Sequence, residues 1–248
     1  MEFSQEQPFY RSLVFKSKYI SMKQVGILFV LVLTASAAFA QQSESRQLDK
    51  FNGIRVGEAI DLYLKKGDKE SARVEVDGVK VSDVLTEVSG NYLRVHMRSG
   101  NYRGNRTVKV YVTYVSIQKI NASSASSVFS EGVVKATSLD LSATSAANIE
   151  IEVEADEVMV DVGSAADITL EGKAKRCTVE ASSAGSVDAY NFECENVDAR
   201  ASSAGSAKIN VTKSLDAEAS SGGSIRYRGN PTSTNTDSSS GGSVKKSS

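Results

Sequence analysis

The chain has 248 residues, 24% charged and 40% hydrophobic, with a formal net charge of −1 and no tryptophan. That is the composition of an ordinary folded protein, and its charge balance excludes the basic footprint that binding to nucleic-acid phosphates needs. With His96 as the single histidine, a His-rich zinc site is also excluded.

The chain opens on a targeting segment. Met22 and Lys23 precede an apolar run over residues 25–33, and Ala38-Phe39-Ala40 then stands before Gln41. A short basic start, an apolar core and an A-x-A site form an export signal spanning residues 1–40, with Met22 as an alternative start. The apolar run is short for a membrane span, so the processed chain is expected not to cross a membrane. It would carry 25 basic and 28 acidic residues, a net charge of −3. Its destinations are the periplasm, the outer-membrane surface or the extracellular space.

Residues 41–50 read as a polar leader. Residues 51–120 are β-rich but irregular: Ile60-Asp61-Leu62-Tyr63-Leu64, Ala72-Arg73-Val74-Glu75-Val76 and Thr107-Val108-Lys109-Val110-Tyr111-Val112 alternate, with turns at Asp77-Gly78 and Gly90-Asn91. Residues 82–88 are the one place where a short helix competes. Residues 56–62 resemble a degenerate copy of the serine-rich phrase that recurs in the C-terminal half.

From residue 121 to about 230 that phrase returns at regular intervals. It reads ASSASS at Ala122, ATSAAN at Ala143, VGSAAD at Val162, ASSAGS at Ala181 and Ala201, and ASSGGS at Ala219, with a polar copy, SSSGGS, at Ser238. Starts lie 18 to 21 residues apart, and a fixed period of this length marks a repeat that stacks on itself. Alternating residues flank each copy, so each coil is two short strands joined at a Ser/Gly corner. Stacking in register gives three inward rows. They are Ile120, Leu141, Val160, Val179, Ala199 and Ala217; Ala122, Ala143, Val162, Ala181, Ala201 and Ala219; and Val128, Ile149, Ile168, Val187, Ala207 and Ile225. The fold class is all-β, a β-solenoid. Residues 231–248 carry few apolar side chains and form a polar cap or a frayed tail.

Phe51-Asn52-Gly53-Ile54, then Gly57-Glu58-Ala59-Ile60-Asp61-Leu62-Tyr63-Leu64-Lys65-Lys66-Gly67, Thr86-Glu87-Val88-Ser89-Gly90-Asn91-Tyr92-Leu93 and the serine-rich repeats together resemble the putative auto-transporter adhesin head GIN domain family (a domain of unknown function, DUF2807) of Bacteroidetes. The resemblance covers roughly residues 50 to 230. It implies a right-handed β-helix-like exported protein with an adhesive role, and it implies no catalytic residue and no cofactor. No run of C-terminal membrane strands follows the repeats.

Three sets of residues invite chemistry. Asp140, Asp161, Asp198 and Asp216 project outward on one face, some within a coil spacing of each other, and are candidates for Ca²⁺; the simpler reading is a solvated face that discourages edge pairing. The corner pairs Ser182-Ser183, Ser202-Ser203 and Ser220-Ser221 form hydroxyl ladders and are the candidate ligand surface. Cys177 points inward, and Cys194 lies one coil on but three residues before the equivalent Val197, so either a bridge or two separate thiols fits. The main reading is a non-enzymatic structural or adhesive module of the cell envelope, with a polysaccharide or an envelope protein as partner. A carbohydrate-active enzyme of lyase or hydrolase type, using acidic residues and a base such as Arg200, is the alternative, as is a periplasmic partner of an envelope-stress signalling system.

Overall fold

The computed structural model describes residues 42–247; the export signal expected over residues 1–40 and the alternative start at Met22 lie outside the described residues. The fold is a β-solenoid of about 7 turns at a spacing of about 19 residues, with 66% of the described residues in strands. It begins with β1 (Gln42–Gln47), β2 (Gly53–Val56), β3 (Asp61–Lys66), β4 (Ser71–Asp77), β5 (Val84–Ser89), β6 (Tyr92–Met97) and β7 (Thr107–Tyr114). It continues through β8 (Lys119–Ala122), β9 (Ser127–Ser130), β10 (Val134–Ala143), β11 (Asn148–Val162), β12 (Asp167–Ala181), β13 (Ser186–Ala201), β14 (Ser206–Ala219), β15 (Ser224–Arg228), β16 (Ser233–Ser238) and β17 (Ser243–Lys246).

The three inward rows stack as their spacing predicts. Ile120 pairs with Leu141, Leu141 with Val160, Val160 with Val179, Val179 with Ala199 and Ala199 with Ala217, all in parallel register. Ile149 and Ile168 face each other in the third row and are almost fully buried. Each such side chain contributes about 1.5–3 kcal/mol by leaving water. Strands β11 to β14 are longer than two short strands per coil: each runs 14 to 16 residues from one serine corner to the next. Alternation breaks once within β11, β12 and β14 and twice within β13; in β12 the break falls at Lys175 and Arg176, which are both exposed between buried Ala174 and Cys177. The chain bends there, and past Lys175 the β12–β13 ladder resumes at Arg176 and Asn196, whereas β13 and β14 shift register between Ala189 and Glu193 and again between Cys194 and Asn196.

Each serine corner is a four-residue turn with two left-handed residues at its centre. Ser183 and Ala184 have φ of 49° and 60°, and the Gly185 N–H closes the turn by donating to the Ser182 carbonyl at 2.8 Å. Positive φ at both central positions is the type I′ geometry. The Ala184 N–H donates to the Ser203 carbonyl of the next coil at 3.1 Å, so even the turn takes part in the stack and leaves few backbone groups unpaired. Glu58 and Ala59, with φ of 64° and 58°, make the same turn. The segment around them is a coil built from a different sequence.

The N-terminal strands are stacked out of chain order. Strand β2 lies between β6 and β8, and β3 between β7 and β9, so the β6–β7 coil stands outermost although it follows β2–β3 in sequence. Antiparallel pairs β5–β6, β4–β7 and β1–β4 then close that end. In place of a short helix, residues 82–88 form the end of a 3-10 turn (Val81–Asp83) and most of β5. At the other end β16 and β17 pair in parallel with β14 and β15. Val244 lies opposite Ile225, while every residue of β16 is exposed.

The two cysteines are joined. Cys177 and Cys194 form a disulfide with a Cα–Cα distance of 6.4 Å. Cys177 is in register with Val197 and Cys194 with Ala174, so the offset of three residues is real. The bend at Lys175 and Arg176 resolves it, because it turns the two inward rows on either side toward one another.

Candidate functional site

The outward rows on the strands leading into the corners form one continuous polar face. In register order the row next to the corner runs Arg94, Arg55, Asn121, Ser142, Asp161, Glu180, Arg200, Glu218 and Asp237. The row two residues earlier includes Lys119, Asp140, Met159, Thr178, Asp198, Asp216 and Asn235.

The four candidate aspartates stand on separate coils and have separate surroundings. Asp140 is bonded to the Lys119 ammonium, and the hydrogen bond and charge of this partner raise the Lys119 pKa above its ordinary value. Asp198 lies 3.4 Å from Arg200, and Asp216 accepts a hydrogen bond from the Asn235 amide at 3.2 Å. Asp161 stands between Ser142 and Glu180 in its row. Among the described residues no three His, Cys, Asp or Glu side chains converge as a metal ion would require. Arg200 also reaches Glu180 at 3.9 Å and Glu218 at 3.8 Å, so its positive charge is shared among carboxylates of three coils. Asp198 and Asp216 line a shallow groove of about 370 Å³ with Thr178, Ser214, Ser233 and Asn235.

Around the bend, charge alternates from coil to coil. Lys135, Glu154, Lys173 and Glu193 are stacked in register. Glu154 takes Lys135 at 2.8 Å and Lys173 at 3.4 Å, and hydrogen bonds from Lys135 and then Lys173 hold its carboxyl below the usual carboxylate range. These exposed pairs favour correct register over a slip of one coil, which would put like charges together.

The corner serines make the most regular feature of the surface. The candidates fall into two rows. Ser182, Ser202 and Ser220 are half-buried, whereas Ser183, Ser203 and Ser221 are exposed. The exposed row extends further than these three, since Ser124, Ser145, Ser164 and Ser240 occupy the same turn position, with φ between 48° and 55°. Serine stands third in every copy of the phrase, and that invariance is the signal that attention to Ser-Ser pairs passes over. Seven hydroxyls therefore line one ridge at the coil spacing of about 4.8 Å. Left-handed backbone disfavours side chains with a Cβ, and Gly, Asn and Asp are the usual occupants of such turns. Retaining serine in all seven coils keeps a hydroxyl where glycine would relieve strain.

The family model described as "Putative auto-transporter adhesin, head GIN domain" (DUF2807) matches residues 50–231. The chain belongs to this family. Among solved structures, a putative adhesin from Bacteroides fragilis NCTC 9343 superposes with a TM-score of 0.76 at 20% identity, over 85% of this chain and 98% of that one. A putative adhesin from Parabacteroides distasonis ATCC 8503 gives 0.67 at 21% identity over 85% and 98%. A putative lipid binding protein from the same strain gives 0.63 at 17% identity over 84% and 97%. At these identities the likeness establishes the shared fold. No curated protein matches the chain. Within this head GIN domain, no helix among the described residues is long and apolar enough to cross a membrane.

Proposed function

We propose that this head GIN domain is an exported, non-enzymatic adhesive module of the cell envelope that displays its serine ridge and acidic face to a polysaccharide or a surface protein. The observation that carries the reading is the seven-serine ridge, held at fixed spacing by a turn whose backbone is itself hydrogen-bonded from coil to coil. A rigid row of identical donors and acceptors suits a repetitive ligand, because each further contact is made at no new cost in orientation and weak contacts add up. The distribution of the acidic groups supports binding over turnover: they are spread along the coils, and Arg200 is engaged by three carboxylates rather than set apart as a base. Family membership agrees with an adhesive role.

The test is binding and turnover of residues 41–248 on a polysaccharide array, with and without Ca²⁺. Saturable binding without new reducing or unsaturated chain ends is the expected result. New chain ends that vanish in Asp198→Ala or Arg200→Ala would overturn it in favour of an enzyme.

A further inference from the structure

Although the protein as a whole is slightly acidic, its charge is polarised along the stack. Residues 50–120 carry 13 Lys and Arg against 8 Asp and Glu, whereas residues 121–248 carry 11 against 18. The basic half holds a groove of about 360 Å³ on the same face as the acidic row, at its opposite end, lined by Arg55, Arg94, His96, Asn121, Ser123 and Glu58 among others.

Arg55 and Arg94 are direct partners across the parallel β2–β6 ladder. Like charges placed opposite one another cost stability; Glu87 stands across from Arg94 in the antiparallel β5–β6 pair, but among the described residues neither guanidinium has a carboxylate within ion-pair distance. Arg55 lies 4.3 Å over the Tyr92 ring. Stacking fixes the plane of a guanidinium and leaves its edge donors free to bind two oxygens at once. Next in the row is Asn121, whose Oδ1 is buried without a hydrogen-bond partner. His96, also in the lining, has its Nε2 3.4 Å from Glu87 and its Nδ1 3.0 Å from the Met97 carbonyl. The one carboxylate in the lining, Glu58, is engaged by the Met97 N–H at 2.6 Å. Two adjacent guanidiniums, one of them pre-oriented, supply the donors that an oxyanion takes, while the buried Asn121 Oδ1 is an acceptor that a saccharide hydroxyl beside that oxyanion would satisfy.

We infer that the Arg55–Arg94 groove binds the oxyanion of an acidic saccharide, so that the ligand of the adhesive face carries carboxylate, sulfate or phosphate groups at one end of its footprint. This rests on the adhesive reading, and it adds the charge class of the ligand. The test follows backbone and arginine side-chain resonances of the isotopically labelled chain, residues 41–248, during titration. The probes are a galacturonate oligosaccharide, its neutral methyl ester, a sulfated dextran oligosaccharide and inorganic phosphate. The charged saccharides are expected to shift Arg55, Arg94 and Asn121, and the methyl ester is not. Arg55→Gln combined with Arg94→Gln should weaken binding at least about tenfold. Arg103→Gln removes a charge from the same half outside the groove and should leave affinity within about twofold, as long-range screening allows. Phosphate binding as tightly as the saccharides would overturn the saccharide assignment. Shifts confined to the serine corners would overturn this inference and leave the adhesive reading standing. If no charged probe binds, the groove is not an anion site, whichever neutral polysaccharides bind on the array.

Discussion

Gly205→Ala is expected to destabilise the protein by about 2–3 kcal/mol, the cost of forcing extra volume into a packed interior. A Cβ at Gly205 would stand 2.2 Å from the Ala181 carbonyl oxygen and 2.5 Å from its carbon, and both atoms are backbone of the preceding coil. That carbonyl accepts the Ser202 N–H at 2.9 Å, so it must move together with its rung; Ala147 and Ala166 hold the same place in two other corners, where the matching rung is 3.1 Å long. Gly222→Ala, in the next corner, is the control. It has open space around it and φ of 74°, and the equivalent Ala204 already tolerates φ of 61°. Its cost should be about 1 kcal/mol, the left-handed penalty alone. Chemical denaturation of the two variants checks the difference. Equal, mild effects would mean that the coils can separate at the corners.

Removing the Cys177–Cys194 disulfide is expected to cost about 3 kcal/mol, the loop-closure value for a ring of this size. The sequence separation is 17 residues, one coil less a little. The bridge therefore ties one coil to its neighbour at the bend, in the middle of the stack. Cys177→Ala with Cys194→Ala should lower the denaturation midpoint, and a thiol reagent should label the native protein only after a reductant has acted. Both residues are buried, with 5% and 2% exposure, so reduction should be slow until the coils open. A double variant with the stability of the parent chain would mean that the stack alone fixes this corner.

The regular half of the fold was legible because two periods coincide there. Alternation assigned each residue to a face, and the recurring phrase assigned it to a coil, so Leu141, Val160 and Val179 could be aligned from the sequence alone. The N-terminal half resisted for a physical reason. Its strands alternate just as well, but no phrase recurs to set their register, and the pairing of β2 with both β6 and β8 depends on hairpins that place a later coil outside an earlier one. The disulfide hinged on a bend that alternation signals only as two consecutive exposed residues, Lys175 and Arg176. On the surface, the serine pairs pointed to the corners but hid the full row from Ser124 to Ser240. The basic groove left no mark in the sequence, since Arg55, Arg94 and Asn121 come from three distant segments and meet only through the ladder. Stacking of aromatic rings across coils was equally hidden: Tyr63 lies 5.0 Å from Tyr111 and 5.3 Å from Phe129. These rings stack on one another, and Tyr111 also carries the Arg73 guanidinium at 4.2 Å, which makes them a packing device along the outside of the coils.

The most direct test of the central claim replaces the middle of the serine ridge. Ser164→Ala, Ser183→Ala and Ser203→Ala together remove three adjacent hydroxyls, and alanine is already accepted at neighbouring left-handed positions such as Ala165 and Ala184. The melting temperature should therefore stay close to that of the parent. Affinity for the polysaccharide that binds best on the array should fall by about tenfold or more, three lost hydrogen bonds of modest strength each. A weakened interaction on an intact fold would establish the ridge as the adhesive surface. Undiminished affinity in the same variant would contradict the account and leave the serines as turn residues alone.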